Sequence, residues 1–305
     1  MTVETVLAEL ASAERTIADV QAQAERRTTP CDGGEMVWHV WGSGPPLVLL
    51  HGGYGSWIHW IRNVLPLSRH FTVMAADLPG LGDSDTPKEL RDPYYLGRIV
   101  AEGIDRMVPA GERFDIAGFS FGGVMGGHAL VHLGERARRF VLVGAGGMGG
   151  RRGPMPELLK WHRHMQPEEM KAFQRRNLEI LMLKDPAAVD DVALYMQTRN
   201  TTRARVKSRY ISRAGTLRDV LPDVKATLMG IWGEFDATTH PYTHEREEQL
   251  RRLQPDLDFR VIPGAGHWVM YEAAEAFNAA LLDMLGAGAP CGASDGKPQT
   301  AFSGG

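Results

Sequence analysis

Short apolar runs alternate with longer amphipathic stretches over most of the chain. Ahead of that alternation, residues 3–26 place Val6, Leu7, Leu10, Ile17 and Val20 near helical spacing among Ala, Glu and Gln. The spacing predicts an amphipathic N-terminal helix, whose apolar face would pack on the core or on a second subunit. After Pro30, β-prone runs at 36–41, 47–50, 72–76, 113–118 and 139–143 alternate with helix-like segments. They are short and apolar, as buried strands are, and the alternation is that of βαβ units in a mostly parallel sheet.

Between Gly144 and about residue 215 the pattern changes to amphiphilic helix, rich in Met, Arg and Leu and broken at Pro154, Pro156, Pro167 and Pro186. This stretch reads as an inserted helical cap. Strand signals return at 226–232 and 259–263, and a last helix is predicted from about Glu272 to Leu285. The expected organisation is an N-terminal helical extension (1–30), an α/β core in two pieces (31–148 and 216–286), a cap (149–215) and a disordered, Gly-, Ser- and Pro-rich tail (287–305).

Composition narrows the function classes. With 305 residues, 43% of them hydrophobic and 23% charged, the chain can bury a large core. Its 34 basic and 37 acidic residues leave a net charge of −3, which carries no bulk footprint for nucleic acid or an anionic membrane. Neither partner is expected. Cys31 and Cys291 form no paired or clustered spacing, which suits a reduced, cytoplasmic compartment. No export signal is read, and no apolar run reaches the roughly 18 residues of a membrane span.

The chemistry begins at Gly118-Phe-Ser120-Phe-Gly-Gly123, a G-x-S-x-G pattern between a predicted strand and a predicted helix. Such an elbow holds the serine in a strained turn, with glycines on both sides where chains approach closely, and the helix that follows favours developing negative charge. A serine hydroxyl needs a general base, and the base needs an anchor. His267, in Gly264-Ala-Gly-His-Trp268, follows the last predicted strand and is the expected base. Asp236, in Gly233-Glu-Phe-Asp236, is the expected acid, with Glu234 the alternative carboxylate after the same strand.

A second glycine loop, His51-Gly-Gly-Tyr-Gly-Ser-Trp57, follows the strand ending at Leu50. Its Gly53 amide and the Phe121 amide are the expected donors of an oxyanion hole. Tyr54 and Trp57 are expected against the acyl pocket, with Phe119 and Trp268 completing the apolar side chains around the substrate. No cofactor or metal is read. The glycines of 144–150 lack an acidic ribose partner about twenty residues on, and His162 and His164, two apart, point to different sides of a helix.

His51-Gly-Gly, Asp77-Leu-Pro-Gly-Leu-Gly-Asp-Ser84, the serine elbow, Gly233-Glu-Phe-Asp236 and Gly266-His267 stand in one order. Together they resemble the α/β-hydrolase superfamily over about residues 35 to 285. The resemblance implies an α/β-hydrolase fold with a Ser120, Asp236, His267 triad acting on a small-molecule substrate. Two groups within it are similar: bacterial carboxylesterases with the same His-Gly-Gly-x-Gly-Ser-Trp loop, and meta-cleavage product hydrolases, which cut carbon–carbon bonds. For the second group the resemblance gives Arg199, in Gln197-Thr-Arg199, a substrate carboxylate to bind. Phe119 stands where those enzymes commonly have Asn, so ester cleavage is the expected reaction and carbon–carbon hydrolysis the alternative. A non-catalytic small-molecule receptor is a third reading, and self-association stays open.

Overall fold

The computed structural model describes residues 2–162 and 164–287. The strands are β1 (Glu25–Cys31), β2 (Gly34–Trp41), β3 (Pro46–Leu50), β4 (Thr72–Ala76), β5 (Phe114–Phe119), β6 (Ala137–Val143), β7 (Thr227–Gly233) and β8 (Asp258–Ile262). They form one sheet in the order β1-β2-β4-β3-β5-β6-β7-β8. Pairing is antiparallel for β1/β2 and β2/β4 and parallel from β4 through β8. The chain runs outward from β3 to β4 and then crosses back to β5. The loops after β3 and β5 therefore meet where the strand order reverses, the place where open α/β sheets hold ligands.

Strand periodicity divides the core into two layers. Leu47, Leu49, Val73, Ala75, Ala117 and Val141 face one side, and Val48, Leu50, Met74, Ala76, Ile116 and Leu142 face the other. The helices are α1 (Thr2–Glu9), α2 (Ala11–Gln21), α3 (Val64–Leu67), α4 (Pro93–Met107), α5 (Phe121–Leu133), α6 (Pro167–Leu181), α7 (Asp191–Arg203), α8 (Ser208–Arg213), α9 (Thr216–Val220), α10 (His244–Leu253), α11 (Val269–Glu272) and α12 (Ala274–Met284). None of the described helices is long and apolar enough to cross a membrane.

The N-terminal region differs from the single helix expected. It breaks into α1 and α2, and residues 25–31 are a strand rather than part of a helical extension. Four of the seven residues of β1 are exposed in succession, so its sequence lacks the alternation that marks a strand. Its place at the sheet edge is what lets it hold Pro30. Val6, Leu10, Ala13 and Ile17 pack into the same core layer as the apolar faces of α6 and α7, and the Tyr195 hydroxyl donates to Glu14 at 2.9 Å. Thus the N-terminal helices clamp the helices inserted between β6 and β7. Residues 150–162, inside the expected cap, carry no helix, consistent with Pro154 and Pro156. The tail expected to be disordered lies, from residue 288 onward, outside the described residues, as does Cys291.

Buried imidazoles make this fold acid-sensitive. His39, 1% exposed, and His128, 2% exposed, are each driven by burial down to about 4 from an ordinary 6.5. Because the unfolded chain takes up these protons first, stability is lost as pH falls from about 6.5 toward 4, at ~1.4 kcal/mol per pH unit for each group. Urea unfolding at pH 7 and pH 4.5 is expected to show a drop of several kcal/mol; equal stabilities would contradict the neutral, buried assignment.

Candidate active site

Ser120 sits between β5 and α5 with φ of 51°, a backbone conformation that a non-glycine residue adopts at a cost. The turn is held by its surroundings: Ser120 N–H donates to Val143 O at 2.9 Å, and its carbonyl accepts from Gly123 and Gly146, each at 3.1 Å. A Cβ at Gly118 would lie 2.6 Å from Gly122 O, and one at Gly122 would collide with the Leu50 carbonyl. The elbow glycines are therefore required by close approach of backbones. Phe121, the first residue of α5, has an amide that no helical carbonyl can take up.

The expected acid and base meet at the ends of β7 and β8. His267 Nδ1 lies 2.8 Å from Asp236 Oδ2, and both residues are buried. The other oxygen of Asp236 accepts from Thr238 N–H at 2.8 Å and Thr238 hydroxyl at 2.7 Å, so the carboxylate is fixed on both sides. Glu234 instead accepts from Gly264 N–H at 2.9 Å and shapes the loop that carries His267. The preceding strand thus presents Asp236, not Glu234, to the imidazole. A carboxylate on Nδ1 holds the proton there and leaves Nε2 as the basic nitrogen. Gly144 leaves room for the pair, since a Cβ there would lie 3.0 Å from Asp236 Oδ2 and 3.2 Å from His267 Nδ1.

The His267 loop is also tied to the inserted helices. Trp268 N–H donates to Met182 O at 2.8 Å, and Glu272 accepts from Gly266 and Asp185 N–H groups, each at 2.6 Å.

The glycine loop after β3 is set by two histidines. His51 Nδ1 is 2.7 Å from Gly52 O while its Nε2 accepts from Leu78 N–H at 2.9 Å, which assigns the proton to Nδ1. His59 Nδ1 accepts from Gly52 N–H at 3.1 Å. Burial lowers the pKa of both rings, that of His59 furthest, so both are neutral spacers and not bases. Gly53 faces the Ser208 hydroxyl so closely that a Cβ would collide with it. Asp77, buried, accepts from Trp57 N–H at 2.7 Å and Asp83 N–H at 2.8 Å, joining the end of this loop to the Asp77–Ser84 turn.

These elements enclose a cavity of about 350 Å³. Ser120, His267, Gly53, Tyr54 and Phe119 all line it. Phe119 packs against His59 and His267, with ring centroids 5.5 Å and 4.9 Å away.

Three residues expected at the substrate lie elsewhere. Trp57, 2% exposed, packs behind the loop on His39 and Trp41. Trp268 is fully buried, stacks on Tyr271 at 3.9 Å and donates to His59 O at 2.8 Å. Arg199 pairs with Asp83 at 3.3 Å outside the cavity. On α7 it is Gln197 and Thr201, one turn apart, that reach the cavity, and at about 100° per residue Arg199 points away from both.

Sequence reasoning missed the polar walls. Arg152, Lys160, Arg209 and Arg213 line the cavity, and no Asp or Glu does so among the described residues. The site is therefore cationic although the chain as a whole is slightly acidic. Ser208 was missed too: its hydroxyl is buried beside Gly53 with no hydrogen-bond partner among the described residues. Among the described residues no group of His, Cys, Asp and Glu could hold a metal ion.

A mostly parallel sheet with flanking helices and a serine on its central strand-to-helix turn defines an α/β hydrolase. The chain belongs to the Alpha/beta hydrolase family, whose pattern matches residues 47–280. It is 28% identical over 263 residues to a 2-hydroxy-6-oxo-6-phenylhexa-2,4-dienoate hydrolase of Burkholderia cepacia, covering 81% of this chain and 90% of the relative. It is 27% identical over 265 residues to a 2-hydroxy-6-oxononadienedioate/2-hydroxy-6-oxononatrienedioate hydrolase of Comamonas testosteroni, with the same coverage of 81% and 90%. The carboxylesterase CesB (YbfK) of Bacillus subtilis superposes with a TM-score of 0.69 at 18% identity, over 93% of this chain and all of that one, and shows the shared fold.

Proposed function

We propose that the protein is a serine hydrolase that breaks the bond between a carbonyl carbon and its leaving group in a small, carboxylate-bearing substrate. The observation that carries this reading is the convergence of Ser120 and the Asp236–His267 pair on one cavity whose charged walls are cationic. Ser120 Oγ attacks the carbonyl carbon as His267 Nε2 takes its proton, and Asp236 stabilises the imidazolium. The amides of Gly53 and Phe121 hold the oxyanion. Collapse of the tetrahedral adduct expels the leaving group, which takes the proton from His267, and water then releases the acid from Ser120 by the reverse sequence.

For the bond broken, the curated relatives support a carbon–carbon bond of a dienoate more directly than the ester expected from sequence. Such a bond opens only when its electron pair has a sink, which the keto form of a 2-hydroxy-6-oxo-dienoate provides by conjugation. The arginines supply charge-assisted hydrogen bonds for its carboxylate. Ester cleavage is the second reading, favoured by the apolar Phe119 ring beside Ser120 and by the withdrawal of Arg199 to Asp83. An alkoxide or phenoxide leaves with one proton and needs no sink.

Steady-state kinetics on a meta-cleavage dienoate, aromatic-acid monoesters and p-nitrophenyl esters separates the two. Higher kcat/KM on the dienoate supports carbon–carbon cleavage, and higher kcat/KM on esters gives the second reading. No turnover of any of them would overturn the proposal.

Ser208 adds a hydroxyl at the oxyanion side. Ser208→Ala is expected to lower kcat about tenfold, the worth of one neutral hydrogen bond, with KM moving less. A fall in KM affinity with kcat unchanged would instead make Ser208 a ground-state contact.

A further inference from the structure

Beside the main cavity lies a smaller one of about 70 Å³. Its walls are the glycine-rich turn 145–150, Thr238 and Thr239 just past Asp236, and three arginines, Arg152, Arg213 and Arg246. Arg152, Arg213, Gly146, Ser212 and Thr238 line both cavities, so the two adjoin. No Asp or Glu lines the smaller one among the described residues.

We infer that this pocket is an anion subsite of the hydrolase. It takes a carboxylate on an arm of the substrate remote from the reacting carbonyl, held by buried Arg246 and by Arg152 and Arg213 at the mouth. Its link to catalysis rests on the hydrolase reading above.

Arg246 is the strongest sign. It is 3% exposed, and its Nη1, which lies beside Gly150 together with the Gln249 amide, has no hydrogen-bond partner among the described residues. Nη2 donates to Arg151 O at 2.8 Å, while Nη1 stands 3.7 Å from Glu245 Oε2, an ion pair without a hydrogen bond. Glu245 is itself engaged by Arg151 through both backbone and side chain. A buried guanidinium with an open donor is costly to keep unless something accepts from it.

Two more observations converge on the same place. Gly150, at φ of 80°, leaves the space that the Arg246 guanidinium occupies, since a Cβ there would collide with Nη1. Arg152 and Arg213 are exposed at the mouth, and neither is paired with a carboxylate among the described residues. Where Arg152 faces inward, loss of hydration and then the charges of Arg213 and Arg246 push its pKa down, against the opposing charge of Asp236. Three guanidinium groups thus face one small space, where Glu245 and Asp236 offset part of their charge and an anion would offset more. About 15 Å³ of such space admits one water, so 70 Å³ admits a carboxylate and its adjoining carbon but not the body of a substrate.

The matching substrates carry a second functional end: a half-ester of a dicarboxylic acid, an ester of a carboxylate-bearing alcohol or phenol, or a dienoate with a distal carboxylate. The test compares kcat/KM for charged and neutral isosteres in the wild type, Arg213→Gln and Arg152→Gln. One pair is mono-4-nitrophenyl glutarate against 4-nitrophenyl 5-methylhexanoate, with the charge on the acyl side. The other is 3-acetoxybenzoate against 3-isopropylphenyl acetate, with the charge on the leaving group. The wild type is expected to prefer the charged member of at least one pair, and that preference is expected to fall ten- to a hundredfold in both variants, as loss of a charge-assisted contact predicts. A wild type with no such preference, or variants that retain it, would overturn the subsite.

Calorimetric titration with glutarate and 5-methylhexanoate reads binding without turnover. Glutarate is expected to bind more tightly, and at least tenfold more weakly to Arg213→Gln. Equal binding of the two acids overturns the subsite. Glutarate preference in a protein that turns over neither pair and no meta-cleavage dienoate keeps the subsite and removes the hydrolase reading.

Discussion

Ser120→Ala is expected to lower kcat by about three to six orders of magnitude while leaving the fold intact. The wide interval has a physical origin. Without the hydroxyl no acyl-enzyme forms, but the oxyanion donors and the cationic walls still bind and polarise the carbonyl, and water can take part of the nucleophile's role. Stability should change little, because the turn at residue 120 is held by backbone bonds to Val143, Gly123 and Gly146, which alanine preserves. Parallel measurement of kcat and thermal unfolding checks both halves. An alanine variant with most of its hydrolysis remaining would show that Ser120 is not the nucleophile.

The second large effect is expected at Asp236. In Asp236→Asn the side chain keeps its shape but has one acceptor oxygen instead of two. Thr238 presents an N–H and a hydroxyl to one oxygen, and His267 Nδ1 meets the other. The amide that fits this frame turns its NH2 group toward His267, so Nδ1 must accept and Nε2 must carry the proton. An imidazole in that tautomer cannot take the proton of Ser120. A loss of about 10⁴ in kcat is expected at neutral pH, since the geometry survives and the tautomer does not. A loss below tenfold would return the role to Glu234. Glu234→Gln is expected to be far milder, because Glu234 contacts the Gly264 backbone rather than the imidazole.

The reason so much of this site was legible in the sequence is that its backbone constraints are written in glycine. Gly118 and Gly122 frame Ser120, and Gly264 and Gly266 lead into His267, each near the end of an apolar run. Strand β5 and the elbow stand where those runs put them. β1 was illegible because Glu25, Arg26, Arg27 and Thr28 are all exposed at the sheet edge, which removes the alternation a half-buried strand shows.

Side-chain direction was the harder inference. Trp57 and Trp268 sit next to candidate-site residues in sequence, yet each turns into the core, where burial of a large aromatic surface outweighs a place in the cavity. Arg199 has an acidic neighbour, Asp83, that sequence spacing cannot reveal. The cationic walls depend on α8 and on the irregular stretch after Gly150 folding over the same sheet edge, so Arg152 and Arg213 meet only in three dimensions. His59 did leave a signal, one buried histidine on each side of the glycine loop with His51, and its neutral ring proves to be a support for Gly52.

The central claim, that hydrolysis runs through Ser120 activated by His267 and Asp236, is tested most directly by labelling with a fluorophosphonate. The modified residue is mapped by mass spectrometry while hydrolysis is followed on the same sample. Stoichiometric modification of Ser120, with activity falling in step and labelling suppressed in His267→Ala, is the expected result. Full hydrolytic activity in protein whose Ser120 is completely modified would contradict it.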